Sequence, residues 1–392
     1  MITFWFPLDP IGHTTKGIHL TDRCLIMNPN QGNLTILHIA MLIITAVGLI
    51  NHVIIIPVLL NVAGRDAWVS VLLIVIPYLL WIGLLLSIVK RTKQKPIIRW
   101  LQDHYGRMVA RIASVMFAGQ FLLLALVTLK DLADWTHASY LPKTPVLLIS
   151  LVFWLLCILA AMTGIRSLAI VNGILLPFVV LLGFFVASSN LPNKDYSLLF
   201  PVFENGIVPV MNGMLYAGAG LFEIVILLNL QHRSKSPIRF RSIALTALFL
   251  LYMTFGPITG AIAEFGPTEA ARQRYPAFEE WRLVTIGHYV EHVDFLVIYQ
   301  WMSGAFVRIS LYLFLVLEIL AVRPTRTKGS WILLLSLTAL MLFAMYGVGS
   351  DIQFLRLLNE GILPFSFAYY ITISLVLFAL VRLRTSRKGD VK

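Results

Sequence analysis

Ten stretches of apolar residues, each long enough to cross a hydrocarbon core, follow one another with little chain between them. They run over residues 34 to 62, 67 to 89, 108 to 135, 144 to 163, 166 to 189, 207 to 231, 242 to 264, 294 to 321, 331 to 349 and 361 to 382. A bilayer core takes roughly 17 to 25 apolar residues per helix, and only helices or closed barrels satisfy their own backbone hydrogen bonds inside it. The spacing therefore predicts an all-α polytopic membrane protein with ten transmembrane helices. Composition agrees, with 58% hydrophobic residues, 13% charged residues and a mean hydropathy of +0.83, far from a soluble domain. The connections leave no room for a separate soluble domain. One membrane domain is expected over 34–384, between an N-terminal tail at 1–33 and a basic tail at 385–392.

The net charge of +12 would suit a nucleic-acid partner if the bases formed one face, but they gather in alternate loops. Lys90, Arg91, Lys93, Lys95 and Arg99 follow the second stretch, Arg233, Lys235, Arg239 and Arg241 the sixth, Arg323, Arg326 and Lys328 the eighth; Arg382, Arg384, Arg387 and Lys388 end the chain. The opposite loops hold most of the acids, among them Asp131, Asp134, Asp195, Glu204, Glu269, Glu279, Glu280, Asp351 and Glu360. Loops rich in Lys and Arg stay on the cytoplasmic side, which places both termini in the cytoplasm and requires an even number of crossings. The partner read from this pattern is a lipid bilayer, not nucleic acid.

Other classes drop out quickly. The N-terminus lacks the basic start, apolar core and small-residue site of a cleaved signal. Cys24 and Cys157, one in the tail and one inside an apolar stretch, make a poor disulfide and no metal site. There is no phosphate-cradling glycine loop, zinc-spaced His and Cys set or GxSxG elbow, so neither an enzyme nor a cofactor is expected. The longest connection, 265 to 293, starts with Gly266-Pro267-Thr268-Glu269, a helix-start signal, and continues with apolar residues at helical spacing. It reads as an amphipathic helix on the membrane surface, capping a vestibule; a passive linker is the plainer alternative.

Ten helices with both ends on one side divide into two halves of five, 34–189 and 207–382, which enter the membrane from opposite sides. In such inverted repeats the first helix of each half is broken near the midplane, offering backbone groups to a ligand. The sixth stretch carries Tyr216-Ala217-Gly218-Ala219-Gly220-Leu221-Phe222-Glu223, and the first carries Thr45-Ala46-Val47-Gly48 followed by Asn51-His52. These small residues mark either unwound backbone or close helix packing. Glu223 and Arg308 are intramembrane charges, and each needs a partner or water. They fall within about one helical turn of each other in depth, so a direct pair is one solution; separate satisfaction, Arg308 by carbonyls of a broken first helix and Glu223 by backbone or water, is the other. His52 reads as a gate or proton site, or as a simply hydrogen-bonded histidine. Phe117, Gln120, Phe121 and Leu124 share a face of the third helix, suited to a ligand wall or to ordinary packing.

Several motifs together resemble a known family. Gly64-Arg65-Asp66-Ala67-Trp68, the sixth helix ending in Phe222-Glu223, Tyr275-Pro276, and Trp301 with Gly304, Phe306 and Arg308 are similar to the B subunits of spore germinant receptors. That family belongs to the amino acid, polyamine and organocation transporter superfamily, and the resemblance covers nearly everything from residue 34 to the tail. It implies a LeuT-like five-plus-five inverted fold in the inner spore membrane of an endospore-forming bacterium. It further implies a small-molecule germinant, usually an amino acid, bound at the midplane, with the signal passed to A-type and C-type partner subunits. Carried onto this chain, the pocket is lined by Gly48 and Asn51, by the third-helix face at Phe117, Gln120 and Phe121, and by Tyr216, Gly218 and Gly220. A proton-coupled amino-acid permease would use the same pocket and is the alternative; a scaffold without ligand gains little from Glu223 and Arg308. The tail of residues 1–33 is longer than the family's usual start, and Met27 is a candidate for the true one.

Overall fold

The first apolar stretch already departs from a uniform helix. Helix α1 (Ile36–Leu49) starts at Thr35, whose side-chain oxygen accepts the His38 N–H at 3.3 Å. It passes into a π-helical turn at Ile50–Ile54 and then into α2 (Ile55–Ala63). Gly64 stops α2 at φ 55°, a backbone region that a side chain would strain, and a 3₁₀ turn at Gly64–Asp66 leads to α3 (Ala67–Leu73) and α4 (Val75–Arg91). The structure is a computed structural model describing residues 34–285, 293–320 and 328–386, without the side chains of 328–330 and 385–386. The expectations for the tail at 1–33 with Cys24 and Met27, for residues 286–292 of the long connection, for Arg323 and Arg326, and for Arg387 and Lys388 lie outside the described residues.

The rest of the chain is helical too; among the described residues the β-structure is one isolated bridge, Leu34 with Ser234. Helix α5 (Ile97–Ser139) bends at Gly106, whose φ of 86° only glycine holds easily. The part before the bend is a short helix where the sequence suggested only a basic loop. Its Ile97, Trp100 and Leu101 are buried, an apolar stripe too brief to register as a crossing. Helices α6 (Val146–Met162) and α7 (Ile165–Ser189) follow. Helix α8 (Ile207–Leu221) then runs through a 3₁₀ segment, Phe222–Ile226, into the one-turn α9 (Leu227–Leu230), and α10 (Phe240–Phe265) follows. The long connection contributes two short helices, α11 (Pro267–Arg272) and α12 (Pro276–Arg282), in place of one surface helix. Proline at the start of each fixes the chain there, and Ala270, Glu280 and Trp281 are buried. Last come α13 (Leu296–Ile319), α14 (Lys328–Gly347), α15 (Asp351–Leu357), a π turn at Leu358–Ile362 and α16 (Leu363–Ser386).

Seven helical runs among the described residues are long and apolar enough to cross a membrane, with Val146–Met162 and Trp331–Gly347 shorter apolar helices beside them. Helix α13 is the axis of the bundle, packing against α5, α6, α1 and α7. Large apolar side chains such as Leu80, Phe343 and Tyr346, between 72% and 86% exposed, point outward, the distribution expected where lipid is the solvent.

Two clamps hold the segments before and after α8 to the first helices. Leu34 donates its N–H to the Arg233 carbonyl at 2.7 Å and accepts from the Lys235 N–H at 2.9 Å. At the other end, buried Asp66 accepts the Phe203 N–H at 2.9 Å, Arg65 donates to the Phe200 carbonyl at 3.0 Å, and Trp68 meets Phe200 edge-on. The Gly64–Trp68 motif thus anchors the chain entering α8.

Candidate functional site

The π turn frees a backbone group at the centre of the bundle. The Ile50 N–H bonds to the Val47 carbonyl, three residues back, and the Ile55 N–H reaches the Ile50 carbonyl, five back. The Ala46 carbonyl thereby loses the donor that an unbroken α-helix would supply from Ile50. Arg308 takes that place: its Nη1 donates to the Ala46 carbonyl. The same guanidinium grips Glu223 in bidentate fashion, Nη1 to Oε1 at 2.5 Å and Nη2 to Oε2 at 3.0 Å, and its Nε donates to the Thr128 hydroxyl at 2.8 Å. Tyr312, one turn along α13 from Arg308, donates its hydroxyl to Glu223 Oε1 and lies 4.9 Å beneath the guanidinium. Arg308 is 0% exposed and Glu223 1%. A pair this deep is stable only when its N–H groups and lone pairs find partners, and Ala46, Thr128 and Tyr312 add three hydrogen bonds beyond the pair itself. Of the two solutions read from the sequence, the groups form the direct pair; of the other, only the carbonyl of the interrupted first helix is found, and Glu223 is met by Tyr312 in place of backbone or water.

The sixth helix contributes Glu223 from its 3₁₀ segment. Its glycines lie one turn earlier and remain α-helical. A Cβ at Gly220 would stand 2.3 Å from Asn51 Oδ1, and one at Gly218 would stand 2.4 Å from the Phe367 ring. Of the two readings of these small residues, close packing describes the glycines, and the departure from α geometry falls at Phe222–Ile226. Asn51 donates its side-chain N–H to the Val47 carbonyl at 2.8 Å and keeps a buried Oδ1 against Gly220 with no hydrogen-bond partner among the described residues. Tyr216 donates its hydroxyl to the Asn359 carbonyl at 3.2 Å.

The third-helix face sits beside this centre. Phe117 stacks on Phe121 at 6.2 Å, and Phe121 stacks on Tyr312 at 5.4 Å. Gln120 donates to the Ser366 hydroxyl at 3.0 Å and to the Tyr370 hydroxyl at 3.2 Å, and it lines a cavity of about 520 Å³ between α5 and α16. Gly48 and His52 stand apart from these residues, on the wall of a second cavity of about 520 Å³ framed by α1, α7, α10, α12 and α13. The His52 Nδ1–H donates to the Met253 carbonyl at 3.2 Å, and Gly48 faces the Met253 thioether. Asn51, Phe117, Phe121, Tyr216, Gly218 and Gly220 line neither cavity.

Several groups escaped sequence reading. Tyr312 was visible in principle, four residues after Arg308 on one helix face. Asp131 was counted among loop acids, yet it is 1% exposed and bonds to Arg274 at 2.8 Å. Arg274 also binds Asp351 at 3.1 Å and lies 4.3 Å over the Tyr275 ring, so one guanidinium joins α5, α15 and the turn between α11 and α12. No spacing rule links three such distant positions.

The comparisons with known proteins agree on one family. A family model described as "Spore germination protein" matches residues 33–352. "Spore germination protein XB" of Bacillus anthracis is 39% identical over 350 residues, covering 89% of this chain and 98% of the relative. "Putative spore germination protein YfkT" of Bacillus subtilis (strain 168) is 27% identical over 65% of this chain and 70% of its own. "Spore germination protein KB" of the same strain is 23% identical over 65% of this chain and 69% of its own. With helices of membrane-spanning length carrying the buried Glu223–Arg308 centre, and with nearly the full length of one relative matched, this chain is a member of the spore germination protein family of integral membrane proteins.

Proposed function

We propose that the protein is the germinant-sensing B-type subunit of a spore germinant receptor. It binds a small nutrient, an amino acid by preference, at the junction of the first, third, sixth and eighth crossings, and passes the signal to A-type and C-type subunits in the inner spore membrane. The observation that carries this reading is the Ala46–Arg308–Glu223 linkage. One buried guanidinium joins the interrupted first helix to the 3₁₀ segment of the sixth, so any ligand that parts those helices must change its hydrogen bonds. On this reading, Gly48, Asn51, Phe117, Gln120, Phe121, Tyr216, Gly218 and Gly220 form the site when the packed junction opens, and His52 gates it.

The topology belongs to the same proposal. Dividing the first candidate run at Gly64 and adding the two shorter apolar helices to the seven makes ten crossings, arranged as two inverted halves of five with both termini cytoplasmic. A sensor needs only a ligand that favours one packing over the other; moving a two-state equilibrium from 1:99 to 99:1 takes about 5.5 kcal/mol of differential binding. The test pairs two measurements. Spores carrying Arg308→Met in this subunit are expected to lose the nutrient response, and purified protein in proteoliposomes to show no uptake of labelled amino acids. An unchanged response in the Arg308→Met spores would remove the sensor mechanism, and concentrative uptake would establish the permease instead.

A further inference from the structure

The second cavity holds a charge imbalance that the germinant reading does not use. Glu280 on α12 lines it, is 7% exposed, and has a buried Oε1 with no hydrogen-bond partner among the described residues. Its neighbours come from three directions. Glu264, at the end of α10, pairs with Lys194 at 3.3 Å, and the side chains of both are at most 6% exposed. Asn190, just past α7, donates to the Glu280 backbone carbonyl at 2.7 Å and to Glu264 at 3.4 Å. On α10, Gly260 leaves space beside the Glu280 carboxyl, since a Cβ there would stand 3.1 Å from Oε1. Among the described residues the cluster therefore contains two carboxylates and one ammonium, with Lys194 committed to Glu264. Burial, and then the Glu264 charge, push the Glu280 carboxyl well above the usual carboxylate range. An uncompensated carboxyl held this way binds a proton or a cation.

The rest of the cavity selects which cation. Among the described residues no group of three or more His, Cys, Asp or Glu is placed to hold a metal ion. The wall instead presents Trp281, Trp301, Tyr252 and Phe184, aromatic surface that suits an organic cation. Trp281 is fixed by its indole N–H to Gln300 at 3.0 Å, and Gln300 in turn donates to the Val179 carbonyl on α7 at 3.1 Å. The frame is thus tied from α12 through α13 to α7. A volume of about 520 Å³ falls in the range of small-molecule pockets. We infer that this cavity is a second ligand site, bordering the germinant junction at Gly48 and His52, which takes a primary ammonium group on a small apolar body with Glu280 as its counter-charge. The ammonium belongs either to a free amine or to an ethanolamine lipid headgroup.

The test uses the full chain in nanodiscs of phosphatidylglycerol and equilibrium dialysis of labelled phenethylamine. Saturable binding is expected, at least tenfold tighter than for neutral 2-phenylethanol, and unaffected by replacing sodium with potassium at constant ionic strength. Glu280→Gln should weaken phenethylamine at least tenfold and leave 2-phenylethanol unchanged. Gly183→Leu fills the cavity from the α7 wall without touching the charge, and should abolish binding of both. It keeps the test open if the Glu280 variant does not fold. Phosphatidylethanolamine that competes would assign the site to lipid; failure to compete would assign it to a free amine. Equal binding of amine and alcohol, or full binding by Glu280→Gln or by Gly183→Leu, would overturn the proposal.

Discussion

Two buried carboxylates in this bundle are treated in opposite ways. Glu223, in the 3₁₀ segment after α8, has both oxygens occupied by Arg308 and one shared with Tyr312. Glu280, on the short α12, keeps an oxygen with no partner among the described residues and faces a cavity. The first environment is completed by helices that cross the whole bundle, the second by a connection that dips into it. A saturated charge is an internal fastener, because nothing further can bind without first displacing something. An unsaturated one is an invitation, held in place by Asn190 and the Trp281–Gln300 link and not by its own carboxyl.

The sharpest way to break this contrast is to remove one partner of the fastened pair. Arg308→Met leaves Glu223 buried with Tyr312 alone, and should cost about 3–5 kcal/mol, read as a large fall in the melting temperature of the detergent-solubilised protein. Adding Glu223→Gln to that variant should restore a substantial part of the loss; no recovery would mean the two groups are not energetically coupled. Glu280→Gln should behave in the reverse sense. The Glu280 carboxyl is raised by burial first and by Glu264 second, with Lys194 opposing. Its protonated form is the one the fold favours, so its contribution is complete below the ordinary value of 4.5 and is lost as pH rises through the raised value. Wild-type melting temperature should therefore decline over that interval, and Glu280→Gln should flatten the decline; an unaltered profile would show that Glu280 finds a compensating charge.

A smaller effect is expected at the Arg274 latch. Lysine there keeps the charge but cannot reach Asp131 and Asp351 together, so Arg274→Lys should cost about 1–2 kcal/mol by thermal denaturation. Least of all, Arg356→Ala should leave stability unmoved, since its 3.9 Å contact with Glu360 joins two side chains that are each 74% exposed. A measurable loss there would show that exposed pairs matter in this protein and would weaken the weight given to buried ones.

The helices and the central pair were legible because bilayer physics leaves marks in a sequence. An apolar run needs length, and a charge such as Arg308 inside one needs a partner at similar depth. The glycines of α8 were seen as special for a sound reason, their missing Cβ atoms, but packing against Asn51 and Phe367 and unwinding make the same demand on sequence. The interruption of the first helix was marked by Gly48 and Asn51-His52, but not its π form, and nothing local announced that Arg308, far along the chain, meets the Ala46 carbonyl there. The Glu280 cavity was hidden for a related reason. Its walls come from five helices, and α12 looked like part of a surface segment until the burial of Trp281 and Glu280 showed it turned inward.

The π turn also sets the rotational phase of the first crossing. Each residue added to a helix rotates the remainder of that helix by roughly 100°. The surplus residue at Ile50–Ile54 therefore fixes the angular relation between two faces. One is the face of α1 that meets Arg308 and Asn172; the other is the face of α2 that nestles against α8. Were the surplus residue to migrate along the helix like a dislocation in a crystal, the parts of the helix before and after the turn would swivel against each other without sliding. Such a swivel changes which side chains face inward while the helix ends keep nearly the same depth in the lipid.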